Sequence, residues 1–276
     1  MRHPEVQYLN LIRRVMKSDM KTTRNGNVYS LFGANMRFSL REHIPLMTTK
    51  QLAWKTCLKE LLWFLSGDTN NKTLKNQGVH IWDLNGTRDF LNSRGLHHYP
   101  EDELGPIYGY QWRNFNGAGI DQIQQLINGL KEDPFSRRHI VTAWNPQQLD
   151  LMALPPCHIL FQMSVNSKME LSCSLYQRSG DVGLGVPFNI ASYSFLTCLI
   201  AHHIGYKCGD FIYNLGDAHI YETHIPMLKE QIKRKPLSFP KLTIERTREK
   251  IDEYSLNDFK IHNYNYHPKI EMKMIA

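Results

Sequence analysis

Residues 182–206, VGLGVPFNIASYSFLTCLIAHHIGY, contain no Asp, Glu, Lys or Arg. A helix over this stretch has no charged face to turn toward water, so the rest of the chain has to wrap around it. The run is also long enough to raise the question of a membrane span. Pro187, Asn189, Ser192, Ser194, Thr197, His202 and His203 interrupt it with polar groups and argue against that. A buried core helix beginning near Phe188 is the expectation.

A chain of 276 residues, 42% hydrophobic, has ample material for such a core, and no linker or repeat divides it. One large domain spanning residues 1–276 is therefore expected. The formal charge of +7 comes from Lys and Arg interleaved with acids. That balance suits an anionic small substrate, weak RNA binding or plain solubility. The five cysteines are odd in number and include no C-x-x-C pair, which argues against a disulfide framework or a zinc site and fits a reducing compartment. The N-terminus, MRHPEVQYLNLIRRVMK, reads as a charged helix and not as a signal peptide. A cytoplasmic protein that does not enter membranes follows.

Val6, Leu9, Ile12 and Val15 recur at helical spacing over residues 4–18. A turn and a strand are expected in 22–33, helices over 51–65 and 120–131, and a loop-rich region at 87–117. RRHIVTAWNP (137–146) reads as a loop entering a short strand. HILFQMSV and MELSCSLYQ flank a turn and read as a hairpin; Met169, Leu171, Cys173 and Leu175 alternate with polar residues, which turns Cys173 inward. GDFIYNLGDAHIYETHIPMLKEQIKR reads as strand, turn and amphipathic helix, and 240–276 as strands and loops. The pattern is mixed α+β.

Several residues carry chemistry. Cys157 stands behind two prolines in ALPPCHIL, a stiff stem for a thiol. It is either a structural cysteine or a nucleophile, and a nucleophile needs a nearby cation; Arg137, Arg138 and Arg178 are candidates. Arg178 and Ser179 together suit a phosphate. Asn189 either caps the core helix or presents an amide to a base edge. His219 and Tyr221 share one face of an extended segment. Glu60, among Leu61, Leu62 and Trp63, is either a rim residue or a partly buried acid with a raised pKa. No H-E-x-x-H motif occurs and His219 and His224 lack metal spacing, so no metal is expected.

Taken together, LPPCH, YQRSGD, GLGVPFNIASY and GDAHIY, supported by ELLWFLSGDTN, IWDLNG, LGPIYGYQWR and SRRHIVTAWNP, resemble thymidylate synthases from the first helix to the last residues. The resemblance implies a large mixed sheet with surrounding helices, paired back to back in a homodimer. It implies methylation of dUMP to dTMP, with 5,10-methylenetetrahydrofolate as donor of carbon and hydride. Cys157 then matches the nucleophile that attacks carbon 6 of uracil, with His158 beside it. Glu60 matches the acid that organises proton transfers, and Tyr108 the tyrosine implicated in removing the proton at carbon 5. Arg24, Arg178 and Ser179 match the phosphate grip. Arg137 and Arg138 match arginines that reach in from the partner subunit. Asn189 matches the reader of the uracil edge, and His219 and Tyr221 the pair on the deoxyribose hydroxyl. Trp82, Asp181 and the tail through Ala276 match folate contacts.

Two departures stand out: RNGN at 24–27, where Asn25 and Asn27 replace a threonine-containing version, and Tyr266 where proline is usual. No reductase-like stretch precedes the first helix, so the single-function form is expected. A deoxyuridylate hydroxymethylase, in which water takes the place of hydride, is the alternative; asparagine at 189 argues for uracil over cytosine. A basic RNA-binding protein is a third reading, without a recognition-module motif.

Overall fold

The computed structural model describes residues 3–275. The elements run α1 (Val6–Val15), β1 (Asp19–Thr23), β2 (Gly26–Ser39), α2 (Trp54–Ser66), α3 (Asn71–Lys75), α4 (Arg88–Ser93), α5 (Tyr108–Arg113), α6 (Gln122–Glu132), β3 (Ile140–Thr142), β4 (His158–Val165), β5 (Glu170–Asp181), α7 (Gly185–Ile204), β6 (Lys207–Tyr221), α8 (Ile225–Gln231), β7 (Lys241–Ile244) and β8 (Phe259–His262). The first six strands form one mixed sheet in the order β1-β2-β6-β5-β4-β3; β7 and β8 form a separate ribbon. The fold is mixed α+β.

All neighbours in the large sheet are antiparallel except β5 and β6. A parallel pair needs a crossover, and the uncharged helix α7 is that crossover. It packs on β5 and β6, and from Ile190 to Ala201 every residue is buried. Gly205, at φ 77°, ends it in the left-handed conformation that glycine adopts without strain. No helix among the described residues is long and apolar enough to cross a membrane.

Helix α7 starts at Gly185, three residues before the expected Phe188. The cause is Asp181, whose Oδ1 accepts from the backbone N–H of Gly183 and Leu184 and organises the turn that opens the helix. The loop-rich 87–117 region holds α4 and α5, too short for a periodic signal. The 22–33 segment is part of a longer hairpin, with Arg24 and Asn25 at its turn. Strand β5 alternates as expected, with Leu171, Cys173 and Leu175 buried.

The inner sheet face carries Phe161, Leu175 and Tyr213 into the core. On the opposite face Leu160 pairs with Tyr176, Ile140 lies on the same side opposite Gln162, and Ile140, Leu160 and Tyr176 remain 49, 36 and 38% exposed.

Candidate active site

Cys157 sits one residue before β4, at the end of the proline stem. Its backbone N–H donates to the Tyr108 hydroxyl at 2.7 Å, and its carbonyl accepts from the Arg178 N–H at 2.8 Å. The Arg178 guanidinium is fixed from the same stem: Nε donates to the Pro156 carbonyl and Nη2 to that of Pro155. This aims Nη2 at the Cys157 sulfur, 4.0 Å away, and the guanidinium also lies over the Trp144 ring at 5.6 Å. The two prolines thus do more than stiffen the stem: their carbonyls hold the cation.

Burial pushes the Cys157 thiol up, while Arg178 and the Tyr108 hydroxyl pull it down. The thiol is therefore protonated at rest, beside a cation placed to stabilise the thiolate once the proton leaves.

Tyr108 opens α5 and stacks on the His158 ring, centroids 4.1 Å apart. His158 Nδ1 pairs with the Tyr193 hydroxyl at 2.7 Å, and burial pushes its pKa down to about 3. It is a neutral ring, a donor or acceptor but not a cation. Glu60, on the buried face of α2, accepts from the Trp82 indole N–H at 2.7 Å. Burial raises its pKa to about 7 despite that hydrogen bond. Trp82 meets Tyr108 edge to face, so Glu60, Trp82, Tyr108, His158 and Cys157 form one connected set.

His219 and Tyr221 share a face of β6 as expected, with rings edge to face at 5.5 Å. His219 Nδ1 lies 3.1 Å from Asp217 Oδ1, whose other oxygen accepts from Ser30. Arg24 and Asn25, on the β1–β2 turn, come close enough to Tyr221 to pull its hydroxyl pKa down against burial. Asn189 lies in the second turn of α7 and is not its cap; its side chain makes no hydrogen bond among the described residues. Arg178 and Ser179 are neighbours near the C-terminal end of β5, both half-buried between the buried Gln177 and Gly180.

Arg137 and Arg138 precede β3, both exposed, and neither guanidinium pairs with any described residue. They do not approach Cys157 of their own chain, so Arg178 alone of the three candidate cations does. Asp181 Oδ2 makes no hydrogen bond among the described residues. Ala276 lies outside the described residues. Among those described, no cluster of three or more His, Cys, Asp or Glu is placed to hold a metal ion.

Sequence reading missed Lys50 and His224. Buried Lys50 donates to the Gly183 carbonyl, and burial lowers its pKa to about 8. His224 joins the C-terminal tail to the same corner, with Nε2 2.8 Å from the Lys273 carbonyl and Nδ1 3.8 Å from Asp181. Nothing local in TTK or ETH signals either role.

The sequence model of the family described as Thymidylate synthase matches residues 6–276. The chain belongs to the thymidylate synthase family. A thymidylate synthase of Homo sapiens is 53% identical over 285 residues, covering 99% of this chain and 91% of that protein. One from Equine herpesvirus 2 is 49% identical, covering 99% and 98%. A bifunctional dihydrofolate reductase-thymidylate synthase of Zea mays is 50% identical over 99% of this chain and 55% of its own length. These names do not favour the hydroxymethylase alternative. Members of the thymidylate synthase family are methyl-transferring enzymes that use methylenetetrahydrofolate as co-substrate.

Proposed function

We propose that this chain methylates dUMP to dTMP through a covalent bond between Cys157 and carbon 6 of the uracil ring. The observation that carries the reading is the Arg178 guanidinium, locked to the Pro155 and Pro156 carbonyls and aimed at the Cys157 sulfur. As the thiol loses its proton, Arg178 holds the thiolate. Addition at carbon 6 makes carbon 5 nucleophilic. When bound, methylenetetrahydrofolate supplies the one-carbon unit and the hydride. Tyr108 stands over the stem to take the carbon 5 proton. Glu60, with a pKa of about 7, gives and takes protons near neutrality. His158 holds the Tyr108 ring in place by stacking on it.

Asn189 reads the uracil edge with an amide that no bond among the described residues occupies. Arg24, Arg178 and Ser179 hold the phosphate, and His219, oriented by Asp217, holds the sugar with Tyr221. Trp82 and Asp181 contact the folate, and the tail through Ala276 closes over it.

The apolar patch Ile140–Leu160–Tyr176 supports a homodimer joined sheet to sheet. Arg137 and Arg138, whose guanidinium groups pair with no described residue, lie beside that patch and then complete the phosphate grip of the partner's site. One hydrophobic cluster running from Tyr8 to Phe259 supports a single domain over residues 1–276. Five free cysteines support a reducing, cytoplasmic setting. The net charge of +7 adds weak, salt-dependent attraction to RNA.

The test is dihydrofolate formation from purified protein. Wild type should form it only with both dUMP and methylenetetrahydrofolate present. Cys157→Ala should lose turnover and keep dUMP binding; turnover by that variant would remove Cys157 from the mechanism.

A further inference from the structure

Cys198 on α7 and Cys208 on β6 take no part in the site above. In the β5–β6 ladder Leu171 pairs with Cys208 and Cys173 with Phe211. Strand β6 thus carries one residue more than β5 between these rungs, a bulge that reverses its alternation. Phe211 faces the core, and because of the bulge Cys208 faces the same side, where α7 lies. Gly209 allows this: a Cβ there would sit 2.4 Å from Ser172 Oγ. The Cys208 and Cys198 thiols are close enough to shift each other's ionisation. Both line a surface cavity of about 220 Å³ with Leu40, Ile44, Leu242, His43 and His202.

We propose that Cys198 and Cys208 form a second thiol centre, a dithiol that low-molecular-weight disulfides such as glutathione disulfide oxidise to an internal bridge. Cys208 is only half-buried and Cys198 is 7% exposed, so solvent-borne reagents meet Cys208 first. The Cys198 thiol, as donor, pulls the Cys208 pKa down, and its own is raised by the same contact and by burial. An accessible, acidified thiol beside a shielded partner is the arrangement of attacking and resolving cysteines.

In the first step the Cys208 thiolate attacks one glutathione sulfur. The glutathione S–S bond breaks, one glutathione leaves as thiolate and takes a proton from water, and Cys208 carries the other. Cys198 then gives its proton to water, and its sulfur attacks the Cys208 sulfur. The mixed disulfide breaks and the second glutathione leaves and is protonated. Two protein thiols are oxidised and one glutathione disulfide is reduced to two glutathiones. The bridge ties the last turns of α7 to the start of β6.

The test uses the full reduced chain incubated with glutathione disulfide, quenched in acid, alkylated with N-ethylmaleimide and digested with trypsin without reductant. Cleavage after Lys207 separates the two cysteines, so a bridge appears as one crosslinked peptide pair, two hydrogens lighter than its parts. The pair is expected in wild type and in Cys157→Ala alike. Cys198→Ser should accumulate glutathione on Cys208, and Cys208→Ser should show neither product. Two alkylated thiols in wild type, or a stable glutathione adduct on Cys208 in wild type, would overturn the proposal. Circular dichroism of each reduced variant checks folding, and the wild-type peptide map decides alone if a variant fails.

Discussion

Glu60 holds a proton that the unfolded chain would release. Its carboxyl is raised from 4.5 to about 7 by burial, so between those values the folded state binds the proton and the unfolded state does not. Stability then falls as pH rises through that window and levels off above it. The full difference is about 3 kcal/mol, by the free energy of a pKa change. Glu60→Gln removes this dependence: urea unfolding of the two proteins should converge near pH 4.5 and separate in the variant's favour toward pH 7. His158 works in the opposite sense. Its pKa falls from 6.5 to about 3, so the stability it leaves intact above pH 6.5 is lost as pH drops toward 3. Tyr193→Phe leaves the buried His158 Nδ1 unpaired and should cost about 1–3 kcal/mol in denaturant melts. The chemical types of these residues were plain in the sequence, and so was the choice of burial for Glu60 as one of two readings. Arg178 could not be picked from three arginines, because the carbonyls that aim it lie more than twenty positions away along the chain. Asn189 could not be assigned either, since its role depended on where the helix starts, and Asp181 decided that.

At the level of elements, two helices place the acid and the phenol. Helix α2 carries Glu60, α5 carries Tyr108, and they cross at Gly109, where a Cβ would lie 2.5 Å from the Phe64 carbonyl oxygen. Gly109→Ala has to push α5 away. It should destabilise the fold by about 1–3 kcal/mol, the usual cost of overpacking, and lower kcat/KM for dUMP through the shift of Tyr108. The tail is fastened in a similar way. Tyr264 donates to the Met47 carbonyl, and Tyr266 packs on it and accepts from Gln51 Nε2. The departure at 266 therefore adds a tether where proline would offer none. Helices α2 and α6 and the β4–β5 pair were legible because each has an apolar period long enough to read, and α7 because its whole run lacks charge. Helices α4 and α5 were not, being one or two turns fixed by tertiary contacts. The β6 bulge was not legible either, as it exists only relative to the register of β5.

At the scale of the whole molecule, the proposed shared site has a direct test. Mixed dimers of Arg137→Ala and Cys157→Ala chains should recover activity, since one of their two sites keeps both groups; inactive mixed dimers, verified by mass, would count against it. Tyr176→Glu puts a charge into the apolar patch and should shift sedimentation from dimer to monomer. The back-to-back arrangement came from the family resemblance, because no periodicity tells an exposed sheet face from one covered by a second copy. The strand order has a different consequence. Strand β2 has β1 on one side, and on its other side its sole partner is β6, with Val28 against Tyr221. A ribosome that has just finished Ser39 must add about 180 more residues before that partner is made, roughly 10 to 40 s at usual synthesis rates. Through that interval a nascent β1–β2 hairpin has an open edge that a neighbouring chain on the same message can pair with.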